Sequence, residues 1–453
     1  MSDILFHYQK VDPTTWVYLS SLLTIGLFFK FSRLWSVRNL DLVGLIMLAP
    51  GLLLVEHGLR ENNPSIEQIG YVWLFTMSGV FLLRLLLDPM MVRRPLLEPN
   101  LSVGGMTFIG TSLLIFLMAN VVNSKLTRDD LAGARGAEQV RARESSALDD
   151  KSLARHGPGY PLLHLLPSIS TQMLSIEDAS RGTLQERDAH REMLQKATAR
   201  TMAILSHMGI VIGMVLIGYR HFDNIKTGIA AATLYLMLPY TAQLTGRVDH
   251  VLPAALLVWA IEAYRRPLVS GMFLGLAVGV IYYPIFLLPL WIAFYWQRGL
   301  LRFLLGVALT LALLVASLAL TSDSLELFLA QTQQMFGWTS MSQGDVEGFW
   351  KFGFIDRVYR IPVLAAFLAL CGSLALWPAQ KNLGVLLSCS AAVMLGTQFW
   401  HAPGGGLYMA WYLPLLLLTI FRPNLEDRVA LSVLGAGWFP RRRGTLPNVE
   451  RAA

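Results

Sequence analysis

The chain has 453 residues, 54% of them hydrophobic and only 15% charged, and its apolar residues gather in continuous blocks about 17–25 long. These figures exclude a soluble globular domain, and blocks that are continuous rather than alternating point to helices, so the expected fold is all-α, a polytopic transmembrane helical bundle. The formal charge of +7 would suit nucleic acid in a soluble protein, but here lysines and arginines stand at the ends of apolar blocks, so no nucleic-acid partner is expected.

The chain begins MSDILFHYQKVDPTTW, without a basic n-region, and its first apolar run ends in LFFKFSRLW with no small-residue cleavage site, which reads as an uncleaved span. Apolar segments then fall near 14–29, 40–55, 69–87, 103–122, 201–218, 228–245, 250–264, 269–296, 303–320, 361–378, 383–399 and 407–421. Segment 269–296 is longer than one crossing of about 30 Å needs, and Tyr283-Pro284 stands near its middle. Charge decides its form. If Lys30, Arg33 and Arg38 are cytoplasmic, alternation puts Arg93-Arg94, Arg220, Lys226, Arg265-Arg266, Lys381 and Arg441–Arg443 on the same side. Arg298 and Arg302 join them only if 269–296 is a helical hairpin. The predicted topology therefore has an extracytoplasmic N-terminus and a cytoplasmic C-terminus in a plasma membrane, the inner membrane of a bacterium.

Four loops would face outside: 56–68, 123–200, 321–360 and 398–407. The large loop 123–200 ends in TLQERDAHREMLQKATAR, where Glu192 and Lys196 are i,i+4 partners on a helix that should run into the span at 201. HGPGYPLLHLLPSIS, earlier in that loop, is too short to cross and too apolar to be solvated, so it should lie in the interface or against the bundle. Residues 131–155 are polar, and the tail after about 424 is basic. Cys371 and Cys389 lie inside apolar spans with no metal-ligand spacing.

Chemistry-bearing side chains are few. Asp129 and Asp130 follow the span 103–122; either could act as a general base for a hydroxyl or help hold a divalent ion beside a phosphate, and either could be a solvated charge. Arg247, Asp249 and His250 occupy a short outer turn, where Arg can bind phosphate and Asp can orient a hydroxyl or the Arg itself; a polar turn reads equally well. His401, beside Trp400 at an outer boundary, could donate to a phosphate or sit in an aromatic belt. Gly404 to Gly406 lack the strand-turn-helix setting of a phosphate loop and read as a flexible turn. The loop 321–360 carries FGWTSMSQGDVEGFWKFGF, whose aromatics suit sugar faces or lipid headgroups. Arg84, Asp88, Arg93, Arg94 and Glu98 should cap span ends by ion pairing on the cytoplasmic face. Ionisable residues deep in spans are scarce, which speaks against an ion-coupled transporter.

Three stretches together carry a family resemblance. TGRVDH with the span ending Arg265-Arg266-Pro267 and SGMFLGLAVGVIYYPIFLLPLW, then GPGYPLLHLLP at 157–167, and WHAPGGGLYMAWYLPLLLL at 400–418, resemble the polyprenyl-phosphate-sugar-dependent membrane glycosyltransferases of the GT-C superfamily, in particular the bacterial mannosyl- and arabinosyltransferase-like branch. The resemblance covers roughly 103–421 and implies an N-terminal three-span extension (1–102), a GT-C-like core (103–423) and a cytoplasmic basic tail (424–453). It implies transfer of a sugar from a polyprenyl-phosphate donor to an acceptor at the outer face, with Asp129, Asp130 and Asp249 as catalytic candidates. Arg247, His250, His401 and Tyr282 would contact substrate or lipid phosphate, Tyr282 standing near the position where the family pattern usually has a lysine. The competing readings are a lipid or amphiphile transporter or flippase, and a non-catalytic membrane scaffold.

Overall fold

The structure, a computed structural model, describes residues 12–91, 97–124, 126–127, 129–142, 156–173, 184–321, 325–326, 328–329, 347–352, 356–401, 405–426 and 428–434. Arg93-Arg94, Gly404, the tail arginines Arg441–Arg443, most of loop 321–360 and residues 143–155 lie outside them. Among the described residues there are only helices, turns and two isolated bridges, Gly348 to Gly405 and Asn382 to Val429, so the expected all-α architecture holds. Six helices among the described residues are long and apolar enough to cross a membrane, which makes this a multi-pass membrane protein.

The first three helices are α1 (Pro13–Phe28), α2 (Val37–Arg60) and α3 (Pro64–Leu87). Each starts on a side chain that satisfies orphan amides: Asp12 accepts from Thr14 and Thr15, Ser36 from Asn39, and Asn63 from Ser65 and Ile66. After α4 (Val103–Asn123), helices α5 (Ala132–Ala142) and α6 (Gly159–Met173) pack on each other and on α7 (Leu184–Arg220). The expected run of the loop helix into its span is seen in the 37 residues of α7, with Glu192 and Lys196 paired at 2.8 Å. Next come α8 (Ile225–Met237), the short α9 (Pro239–Gln243) and α10 (Val248–Glu262).

The stretch after α10 is a hairpin. Helix α11 (Pro267–Val280) breaks at Ile281-Tyr282, a 3-10 turn covers Tyr283–Leu287, and α12 (Leu288–Tyr295) leads back. The Tyr295 hydroxyl donates to the carbonyl of Tyr264, just before α11, at 2.6 Å, so the chain returns to the end it left. Consequently α13 (Leu300–Thr321) starts beside the start of α11 and runs parallel to it, Gly271 lying against Phe303 and Gly279 against Leu314. The two backbones touch: a Cβ on Gly271 would stand 2.2 Å from the Phe303 carbonyl oxygen, and one on Gly306 2.1 Å from that of Leu268. Small residues at these positions are what permit such an approach where no hydrophobic effect drives helices together. The bundle closes with α14 (Arg360–Leu376), α15 (Leu383–Thr397) and α16 (Leu413–Phe421).

Following each helix sorts its termini into two ends. Lys30, Arg220, Arg265 and Lys381 gather at one, as the charge alternation predicts, together with Arg84 and Arg422; the turns after α4, α9 and α15 and the hairpin tip gather at the other. The first three helices are fastened to the rest at both. Trp16 donates its indole N–H to the Met237 carbonyl at 3.2 Å, and Arg422 pairs with Asp88 at 2.6 Å.

Candidate functional site

At the end opposite the basic one, the turn after α4, the segment before α6, the start of α10, the hairpin tip and the turn after α15 converge. Asp130 is fixed first. Its Oδ2 accepts from the amide and hydroxyl of Thr127, at 2.8 and 2.7 Å, which closes the turn between α4 and α5. Asp130 is buried, whereas Asp129 beside it is exposed, so the structure brings one member of the predicted pair to the site and turns the other out.

Arg247 is the residue before α10 and Asp249 stands in its first turn, where a carboxylate complements the helix N-terminus. The guanidinium lies between two carboxylates: Nη2 reaches Asp249 Oδ2 at 3.0 Å, Nε donates to Asp249 Oδ1 at 3.2 Å, and Nε is also 3.2 Å from Asp130 Oδ1. The charge of Asp249 raises the Arg247 pKa by more than burial lowers it, so the guanidinium stays protonated. With both carboxylates ionised, the trio carries one net negative charge. Asp130 Oδ1 is buried and, although ion-paired, accepts no hydrogen bond.

The carboxylate of Asp249 also faces two imidazoles. His250 Nε2 is 3.8 Å and His156 Nε2 is 4.0 Å from its Oδ2. His250 Nδ1 is hydrogen-bonded to the Tyr240 hydroxyl at 2.6 Å; a proton on Nε2, facing the carboxylate, makes Tyr240 the donor there. The main chain of Asp249 is held as well. Pro253 has no N–H to offer the carbonyl four residues earlier, and the Trp411 indole donates to that Asp249 oxygen instead, at 3.1 Å.

His156 arrives through the GPGYP segment. The amide of Gly157 donates to the Val280 carbonyl at 2.9 Å, and a Cβ on Gly157 would stand 2.3 Å from the Gly279 oxygen, so the segment docks on the hairpin tip only as glycine. Tyr160 follows, stacked on His156 with ring centroids 4.3 Å apart. Burial, then the nearby charge of Asp249, pushes its hydroxyl well above the usual tyrosine range and keeps it neutral. One turn on, His164 bonds the Tyr160 carbonyl at 2.7 Å and is fully buried; burial pulls its pKa down to about 4.

An aromatic wall completes the site. Gln398 accepts from the amides of Gly406 and Tyr408, both at 3.2 Å, shaping a turn in which Gly406 takes φ 99°, a left-handed conformation that suits glycine. That turn lays Tyr408 on His250, centroids 4.3 Å apart, and against His401 at 4.8 Å. Tyr283, at the hairpin tip, packs on His401 at 4.7 Å, Trp411 at 5.1 Å and Trp400 at 5.4 Å. Tyr282 stacks on Tyr283 and faces Trp400, one ring further from the carboxylates.

The structure thus joins Asp130, Arg247, Asp249, His250 and His401 in one cluster, with Tyr282 at its edge. His156, Tyr160, Tyr240 and Tyr408 belong to it without having been singled out as site residues in the sequence, although Tyr160 and Tyr408 lie in the GPGYP and WHAPGGGLYMAW stretches and His156 directly precedes the first. Among the described residues no group of three or more His, Cys, Asp or Glu is placed to hold a metal ion, and the position between the two carboxylates is filled by the Arg247 guanidinium. The fold and site define a multi-pass helical membrane protein with a buried carboxylate, guanidinium and imidazole cluster at one end. Comparison with models of known protein families, with curated proteins and with solved structures finds no match.

Proposed function

We propose that the protein transfers a sugar from a polyprenyl-phosphate donor to an acceptor hydroxyl at the extracytoplasmic face, on a GT-C-like scaffold. The observation that carries this reading is Asp130: a buried carboxylate, anchored through one oxygen by Thr127, whose other oxygen accepts no hydrogen bond. Such an oxygen suits a general base. The acceptor O–H would pass its proton to Asp130 Oδ1 as its oxygen bonds to the anomeric carbon. The bond from that carbon to the phosphate oxygen breaks, and the polyprenyl phosphate leaves with the electron pair. Arg247 holds both carboxylates in place through its Nε and Nη2. The rings of Tyr283, Tyr408 and Trp411 offer flat apolar faces to a sugar. The Arg247 guanidinium occupies the position between the carboxylates where a divalent ion would otherwise sit.

The test is donor turnover by the full chain in lipid nanodiscs, offered polyprenyl-phosphate-linked hexoses and pentoses with a sugar acceptor and read by mass spectrometry of released polyprenyl phosphate. Release that Asp130→Asn lowers about 10²–10⁴-fold is expected. Release unaffected by that substitution, or flux of intact donor between leaflets with no product, overturns the reading in favour of another base or of a transporter.

A further inference from the structure

The charge balance of the site leaves a question that transfer chemistry must answer, namely which cation meets the phosphate. Arg247 is poorly suited, since it already serves two carboxylates and the trio as a whole repels an anion. At the same end of the bundle Arg60 pairs with Glu56, Arg191 with Glu138 and Lys351 with Glu67. Arg360 differs. It begins α14, is half-buried, and no carboxylate among the described residues pairs with it. Its Nε and Nη2 both donate to the Trp400 carbonyl, at 3.2 and 3.1 Å, which fixes the plane of the guanidinium while Nη1 remains unused among the described residues. A half-buried cation held in place by a neutral carbonyl keeps its charge for something else.

Its surroundings say what. On one side lies the aromatic wall: Trp400, whose carbonyl it holds, touches Tyr282 and Tyr283 at the hairpin tip, and Tyr283 in turn reaches His401 and Trp411 of the carboxylate cluster. The Trp400 indole N–H is itself buried with no acceptor. On the other side Val358, Tyr359 and Ile361 are 64%, 60% and 68% exposed, an apolar flank on a helix apolar enough to cross the membrane. An anion bound at Arg360 would have a lipid-accessible surface behind it and a sugar-sized aromatic wall in front.

We propose that Arg360, rather than Arg247, holds the phosphate of a lipid-borne phosphate substrate, whose chain lies along the exposed flank of α14. The proposal deepens the transfer reading and rests on it for the purpose of the site, while the binding can be tested separately. The full chain in neutral detergent is titrated with farnesyl phosphate, farnesol, inorganic phosphate and phosphatidylglycerol, with tryptophan fluorescence as the readout. Farnesyl phosphate should bind more tightly than the other three. Arg360→Gln should weaken it at least about tenfold, Arg360→Lys less, and Arg247→Gln, which only deepens the negative charge nearby, by clearly less than Arg360→Gln. Unchanged thermal unfolding of R360Q and retained binding in R360K separate lost recognition from lost fold. Equal farnesyl phosphate affinity in R360Q and the parent, a loss carried by R247Q instead, or tighter binding of inorganic phosphate or phosphatidylglycerol overturns the inference. Failure of the transfer reading would look different: farnesyl phosphate binding that depends on Arg360, with no sugar release sensitive to Asp130→Asn.

Discussion

Each end of the bundle brings two aspartates together with arginine, to opposite effect. At the basic end Arg84 clasps Asp41 through two hydrogen bonds, at 2.8 and 3.0 Å, and also reaches Asp88 at 3.0 Å, while Arg422 takes the other Asp88 oxygen at 2.6 Å. Among the described residues two carboxylates there meet two guanidiniums, and Asp88 is wholly buried. At the other end, among the described residues, two carboxylates share the guanidinium of Arg247, and an Asp130 oxygen accepts no hydrogen bond. The first arrangement fastens the N-terminal helices to the last span and offers a substrate nothing. The second is less complete as a structure and, for that reason, better as a reaction centre.

Substitution should separate the two. Asp130→Asn is expected to cost about 10²–10⁴-fold in turnover with little loss of stability, because Asn keeps the acceptor oxygen that Thr127 bonds and gives up the basic one. Asp88→Ala removes the buried carboxylate that Arg422 and Arg84 share and should cost about 3–5 kcal/mol of stability, with turnover per folded molecule unchanged. Denaturant unfolding in detergent beside a turnover assay reads both. A destabilised D130N, or a folded D88A with abolished turnover, would erase the distinction.

How much of this was legible in the sequence depends on the range of the interactions involved. The hairpin was readable because Tyr283-Pro284 interrupts a run too long for one crossing and Arg298 must rejoin Arg265. Helix α7 was readable from local periodicity and the Glu192–Lys196 spacing. Arg247 and Asp249 are two residues apart, so their pairing was within reach of a turn argument. Asp129 and Asp130 could not be told apart by composition; a one-residue step at a helix entry reverses the direction of the side chain, and the discriminating signal, Thr127 three residues before Asp130, is a capping pattern. His156, Tyr240 and Tyr408 reach the site only through tertiary contacts, of which the Gly157 approach to the hairpin tip is the least guessable. Arg360 carried no motif at all; its interest lies in what does not pair with it.

The comparison can be sharpened by pH. His164 joins α6 to α5, whose Gly133 would place a Cβ 2.4 Å from its ring; α6 carries Tyr160, and α5 begins two residues after Asp130. Burial lowers its pKa from 6.5 to about 4, so the folded state binds its proton less readily than the unfolded state does. Its contribution is therefore whole above pH 6.5 and lost as pH falls toward about 4, at about 1.4 kcal/mol per pH unit and about 3 kcal/mol in all. Amide exchange in α5 and α6 should rise across that window while the contacts around Asp88 stay protected. His164→Gln should flatten the dependence, and a pH response undiminished in that variant would assign it to another group.

The smallest effect tests how the carboxylate cluster is held. Trp411→Phe keeps a ring where Tyr283 and Tyr408 pack, at 5.1 and 4.4 Å, but removes the N–H that serves the Asp249 carbonyl. Because Pro253 cannot supply that bond, the oxygen is left without its donor, at a cost of about 1 kcal/mol. Pro253→Ala restores an amide at the position that would normally bond it, so the same Trp411 change in that background should cost almost nothing. A double-mutant cycle in stability should then show a coupling of about 1 kcal/mol between residues on different helical segments. An additive cycle would mean that the indole acts through its ring alone, and that Asp249 is placed by Arg247 without help from behind.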